Sequence, residues 1–173
     1  MKTRLAILSF FTLLIFSCSI HQEKAKVFFV NSYHEGYGSS DAVMEGFFST
    51  LPSDSFLVAS YFMDTKRNTS AEYIRESVQL ALDSIRAFKP DILVACDDNA
   101  VKYLVVPHFK NKDMHVVFCG VNWSAQQYGL PVENVTGMLE VLPLKELLNS
   151  MKQAYPSASK LLVLTENTTS ARN

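Results

Sequence analysis

The chain lacks the short motifs that mark the commoner chemistries. It has no GxSxG elbow around a nucleophilic serine. It has no Walker A run and no GxGxxG fingerprint for phosphate. It has no CxxC pair and no cysteine–histidine cluster at metal-ligand spacing. A phosphoacceptor receiver needs acids after its first strand, where Asn31 and Ser32 stand instead. His34, Asp97 and a serine are the right types for a nucleophilic set, but Ser32 is not on the strand–helix turn that such a serine needs. Neither catalysis, a cofactor nor a metal is expected. Charge of one sign is lacking too: 16 basic residues face 17 acidic ones, a net charge of −1. That leaves no basic footprint for nucleic acid. Six glycines and six prolines in 173 residues exclude collagenous and low-complexity chains. The length suffices for one domain with a real core.

The first residues read as a leader. Lys2 and Arg4 form a positive start, residues 5–16 are almost unbroken apolar, and Ser17, Cys18 and Ser19 follow. A run this short does not span a bilayer comfortably and has the layout of a secretory signal. Leu14-Ile15-Phe16-Ser17-Cys18 resembles a lipobox, with Cys18 as the acylated residue. The expected protein is exported and lipid-anchored to a bacterial membrane, facing the periplasm or cell exterior. Residues 1–17 are then a signal peptide and 18–25 a tether. The mature chain carries 14 basic and 17 acidic residues, a net charge of −3. Four Asn-x-Ser/Thr triplets, at Asn68, Asn122, Asn134 and Asn167, matter only in a eukaryotic secretory route.

From Lys26 onward, apolar runs alternate with helical patterns. Strands are expected over 27–30, 56–62, 91–96, 115–119, 134–140 and 161–164. Helices are expected over 41–51, capped by Ser40 or Asp41, from Thr69 or Ser70 to Lys89-Pro90, over 99–106, stopped by Pro107, and from Pro143 to Pro156. The longest helix carries Ile74, Val78, Leu82, Ile85 and Phe88 at steps of three and four. The strands are apolar throughout, as buried parallel strands are when helices cover both faces. The alternation predicts an α/β, doubly wound parallel sheet. Cys96 and Cys119 each end an apolar run and read as small buried hydrophobes. Thiols on neighbouring parallel strands seldom meet bridging geometry.

Ligands of such sheets bind beyond the carboxyl ends of the strands, where loops diverge and helix N–H groups are free. Three loops there are unusual. Residues 31–40 carry Ser32, Tyr33 and Tyr37 among glycines; residues 97–99 carry Asp97 and Asp98; residues 120–123 carry Asn122 and Trp123, the single tryptophan. Each also has a plainer reading: Asp98 as a helix cap, Trp123 as a plug on the core, the tyrosines as ordinary loop residues. Tyrosine and tryptophan faces suit an apolar or aromatic group, and an aspartate suits an ammonium.

The series NSYHEGYGSSD, YFMDTKRN, VACDDNAVKYL, VFCGVN and TGMLEVLPLKELLNSMKQAYPSASKLLVL resembles the ABC-type substrate-binding proteins of the type I periplasmic-binding fold, related to tryptophan and tyrosine uptake proteins. The same module resembles extracellular sensor domains of signalling histidine kinases or cyclases. The likeness runs from about Lys26 to the end. It implies a flavodoxin-like lobe over 26–137, then a crossover over 138–173 into the first helix and strand of an incomplete second lobe. It also implies ligand contacts at Ser32, Tyr33, Tyr37, Asp97, Asp98, Asn122 and Trp123, with the 63–67 loop at the rim or hinge. The implied partners are a small molecule, such as an amino acid, and an ABC permease, or a signalling kinase in the sensory alternative.

Overall fold

The computed structural model describes residues 23–52 and 54–164. The expected leader, residues 1–17, and the expected lipidation site Cys18 lie outside the described residues. Five strands form one parallel sheet: β1 (Ala25–Asn31), β2 (Phe56–Phe62), β3 (Ile92–Cys96), β4 (His115–Asn122) and β5 (Val135–Glu140), in the order β2-β1-β3-β4-β5. Two helices flank it, α1 (Gly38–Thr50) and α2 (Ala71–Phe88), and a further helix, α4 (Leu144–Ala154), follows β5 without burying a residue. A third segment, α3, winds as a π-helix over Ala100–Val105 and continues as α-helix over Val106–His108. The α/β parallel sheet is therefore the fold, with the arrangement of a flavodoxin-like lobe.

Burial explains why the strands read as unbroken apolar runs. On one face Phe28, Val30, Leu93, Ala95, Val116 and Phe118 pack beneath α2 and α3, meeting Ile74, Val78, Ile85, Val101 and Leu104. On the other face Val27, Phe29, Val94 and Cys96 pack beneath Met44 and Phe47 of α1. The rings of Phe29 and Phe47 lie 5.1 Å apart. This second layer stops short of the sheet edge, and Val117 is 41% exposed.

The ends of the helices follow local chemistry. Ser70 caps α2, its hydroxyl accepting the Tyr73 N–H at 3.2 Å. At the other end Lys89 takes a left-handed φ of 54°, just before Pro90. α1 begins earlier than expected, at Gly38, because Ser40 is not a cap: it is buried and donates to Asn31 Oδ1 at 3.1 Å. Asp41 Oδ1 accepts the Gly36 N–H at 3.2 Å instead. Pro107 does not stop α3. The wide turns there pair Val106 N–H with the carbonyl of Val101, so the helical segment runs on to His108.

One expected strand does not form. Residues 161–164 are irregular and exposed, Leu162 by 82%. A strand needs a neighbour to take its backbone groups, and none of the described strands pairs with this run. α4 likewise leaves Leu144, Leu147, Leu148 and Met151 exposed.

Candidate functional site

The strand order reverses between β1 and β3, so the switch point lies where Asn31 and Cys96 end in register. Ser32 joins the strands there. Its N–H and its hydroxyl both donate to the Cys96 carbonyl, at 3.1 and 2.7 Å. Its hydroxyl accepts the Ala100 N–H at 2.8 Å, and its carbonyl accepts from Thr65 N and Thr65 Oγ1, at 2.9 and 2.6 Å. Asn99 Nδ2 donates in turn to Thr65 Oγ1 at 2.9 Å. The loops after β1, β2 and β3 are thereby one hydrogen-bonded unit.

The next loop is tied on through Asp98, which is wholly buried. Tyr128 donates to Asp98 Oδ1 at 2.7 Å, and Asn122 Nδ2 to Asp98 Oδ2 at 2.9 Å. Asp97 donates its N–H to the Cys119 carbonyl at 2.7 Å, and Trp123 its N–H to Glu140 at 2.9 Å. Gly120 takes a left-handed φ of 69°, which a side chain would strain, although a Cβ there would meet the Asp97 nitrogen only at an ordinary contact distance of 3.5 Å.

Three exits share a backbone feature. Asp64 after β2, Asp97 after β3 and Trp123 after β4 all adopt left-handed conformations, with φ of 52°, 76° and 61°. Non-glycine residues resist this region, and such strain gathers at functional sites when the surroundings enforce it. Backbone hydrogen bonds hold each one there: Asp97 N–H to the Cys119 carbonyl, Trp123 N–H to that of Glu140, and Asp64 N–H to that of Tyr33 at 3.3 Å.

The rim carries the chemistry. Tyr33 and Tyr37 meet edge-to-face with centroids 4.8 Å apart, and His34 lies 5.6 Å from Tyr37. The Lys66 ammonium sits 5.1 Å from the Tyr33 ring centre and 4.8 Å from that of Tyr37, a cation–π placement. Beside it Asp64 accepts from Arg67 Nε at 2.8 Å and from Asn68 Nδ2 at 3.0 Å. The Arg67 hydrogen bond holds the Asp64 carboxyl below its usual range, against a smaller opposing effect of burial. His34 Nδ1 is 3.5 Å from the same carboxylate.

The seven residues singled out from the sequence all stand at this carboxyl end, but at different depths. Tyr37, Asp97, Asn122 and Trp123 keep exposed surface; Tyr33 is mostly covered; Ser32 and Asp98 are sealed beneath, with their polar atoms engaged. Lys66, Thr65, Asn99, Ser40 and Tyr128 belong to the same assembly and were not singled out. Lys66 had a signal, since it lies in the polar 63–67 loop leaving β2. Three buried atoms, Asn31 Nδ2, His34 Nδ1 and Asn99 Oδ1, have no hydrogen-bond partner among the described residues.

No group of three or more His, Cys, Asp or Glu able to hold a metal occurs among the described residues. A polar hollow lined by Asn111, Lys112, Asp113, His115, Glu133 and Asn134 opens at the opposite end of the sheet. There Asn134 spends its amide on the carbonyls of Phe109 and Met114, so that hollow is built around a structural clasp. No family model, curated protein or solved structure matches this chain.

Proposed function

We propose that this chain is the first ligand-binding lobe of an exported, lipid-anchored solute-binding protein that delivers a small zwitterion, such as an amino acid, to an ABC-type permease. In this reading it catalyses no reaction. One observation carries it: a cation set against two tyrosine rings, and a partly exposed aspartate and tryptophan, all leave the carboxyl ends of the parallel strands, on loops to either side of the switch point.

The chemistry suits a zwitterion. Lys66 offers an ammonium for a carboxylate, Asp97 a carboxylate for an ammonium, and Tyr37 and Trp123 flat surfaces for a side chain. The buried hydrogen bonds beneath hold these groups before a ligand arrives, which lowers the ordering cost of binding. The lipobox-like leader favours a free-standing receptor over a sensory module fused to its own kinase. A second lobe, as the resemblance implies, would close over the rim, so one lobe alone binds weakly. A dissociation constant above about 0.1 mM is expected, less than roughly 5.5 kcal/mol of binding free energy.

Trp123 reports directly, being the single tryptophan. Titration of the protein with each standard amino acid should change its emission saturably for at least one. Asp97→Asn and Lys66→Met should remove the change while leaving the circular dichroism spectrum intact. If neither emission nor calorimetric heat responds to any amino acid up to tens of millimolar, the proposed ligand class is wrong.

A further inference from the structure

Cys96 ends β3 and Cys119 lies near the end of β4, and the two are direct partners in the parallel register. Both side chains lie on the α1 face of the sheet, with Val27, Phe29 and Val94. Thiols on neighbouring parallel strands seldom bridge, but this pair is in register and on one face, and adjacent strands run about 4.8 Å apart, inside the roughly 4.4–6.8 Å Cα separation that a disulfide accepts. Both thiols are free. Cys96 is buried, whereas Cys119 is partly exposed. Val117, two residues before Cys119 on the same face of β4, is 41% exposed. An external reagent therefore has a route to Cys119 and none comparable to Cys96.

We propose that Cys96 and Cys119 form a reversible dithiol couple that closes to an intrachain disulfide by exchange with an external disulfide, beneath the candidate site. Cys119 is the attacking sulfur. Its thiolate displaces one thiolate from the external disulfide and forms a mixed disulfide. Cys96 then loses its proton, attacks the Cys119 sulfur and expels the second thiolate. The pair gives up two electrons and two protons, and the external disulfide becomes two thiols. The influence of each thiol on the other assists in this order: it lowers the Cys119 pKa and raises that of Cys96, which burial raises further. The backbone makes the bridge consequential. The Cys96 carbonyl holds both donors of Ser32, and the Cys119 carbonyl holds the Asp97 N–H. Closure would fix the two strand ends from which these loops hang. None of this depends on the identity of the ligand.

The test uses the folded full chain in buffers of graded oxidised-to-reduced glutathione, quenched by alkylation and digested with trypsin. Lys102, Lys110 and Lys112 separate the two cysteines, so their peptides stay joined only through a bridge. The expected result is a Cys96–Cys119 cross-linked pair, two hydrogens lighter, whose fraction follows a single two-electron midpoint. Cys96→Ser should stop at a glutathione adduct on Cys119, and Cys119→Ser should leave Cys96 unmodified. Recovery of both thiols unbridged in fully oxidised glutathione would overturn the proposal. So would a wild-type adduct on Cys119 that never resolves, or equal adduct formation on Cys96 in Cys119→Ser.

Discussion

Ser32 shows how a residue can matter to a site without reaching a ligand. Its hydroxyl donates to one carbonyl and accepts from one N–H, both buried. Ser32→Ala leaves the Ala100 N–H without its acceptor, a loss of about 1–3 kcal/mol. Urea unfolding should register this as a lower midpoint with an unchanged slope. Sequence reading found Ser32 and Asp98 by position, since both follow apolar runs, but it could not see depth. Depth depends on which neighbours cover a residue, and the side-chain partners described for these two lie 24 to 68 positions away. Asp64 gives a pH-dependent test. Its carboxyl is held below the ordinary 3.8 mainly by the Arg67 hydrogen bond. A depressed folded-state pKa contributes stability above the unfolded value and loses it as pH falls through the folded one. The gain should be complete near pH 5 and should fade below about pH 4. Arg67 is largely exposed, so solvent screening keeps the effect small. Asp64→Asn should flatten this part of the acid limb in a denaturation series. An unchanged limb would mean the pair contributes nothing.

At the scale of elements, β4 and β5 carry a feature that the apolar pattern hides. Their register shifts between Phe118 and Val121. Gly137 of β5 crosses at that point, where a Cβ would collide with the Phe118 carbonyl and ring. Gly137→Ala should push β5 from the sheet, with a cost of about 1–3 kcal/mol from overpacking. Amide exchange in β5 should speed up while β1 and β3 remain slow. Equal exchange in the variant and the parent would show that the edge gives way without cost. The strands themselves were legible because buried parallel strands need little besides apolar residues. α2 was legible because its apolar steps are regular and its ends carry a serine and a Lys-Pro pair. The π-turns of α3 and the bulge in β4 were not. Both depend on backbone pairing between residues whose identities permit ordinary geometry equally well. Residues 161–164 show the converse: a strand-like run stays irregular when no neighbour takes up its hydrogen bonds.

Across the molecule, order is unevenly supported. β1 and β3 lie mid-sheet, paired on both edges, with helices packed over much of each face. α4 presents Leu144, Leu147, Leu148 and Met151 to solvent, at 42–53% exposure. An isolated helix of 11 residues is marginal in water, because helical stability in proteins comes mostly from packing an apolar face. Native-state hydrogen exchange should therefore separate the chain into two classes. Amides of β1 and β3 should exchange only through global unfolding, while those of α4 should exchange within about 1–2 kcal/mol of the unprotected rate. Dilution provides the control. If α4 is protected at high protein concentration and loses protection on dilution, another copy covers its apolar face. If α4 exchanges as slowly as β1 at every concentration, contacts within its own chain cover its apolar face.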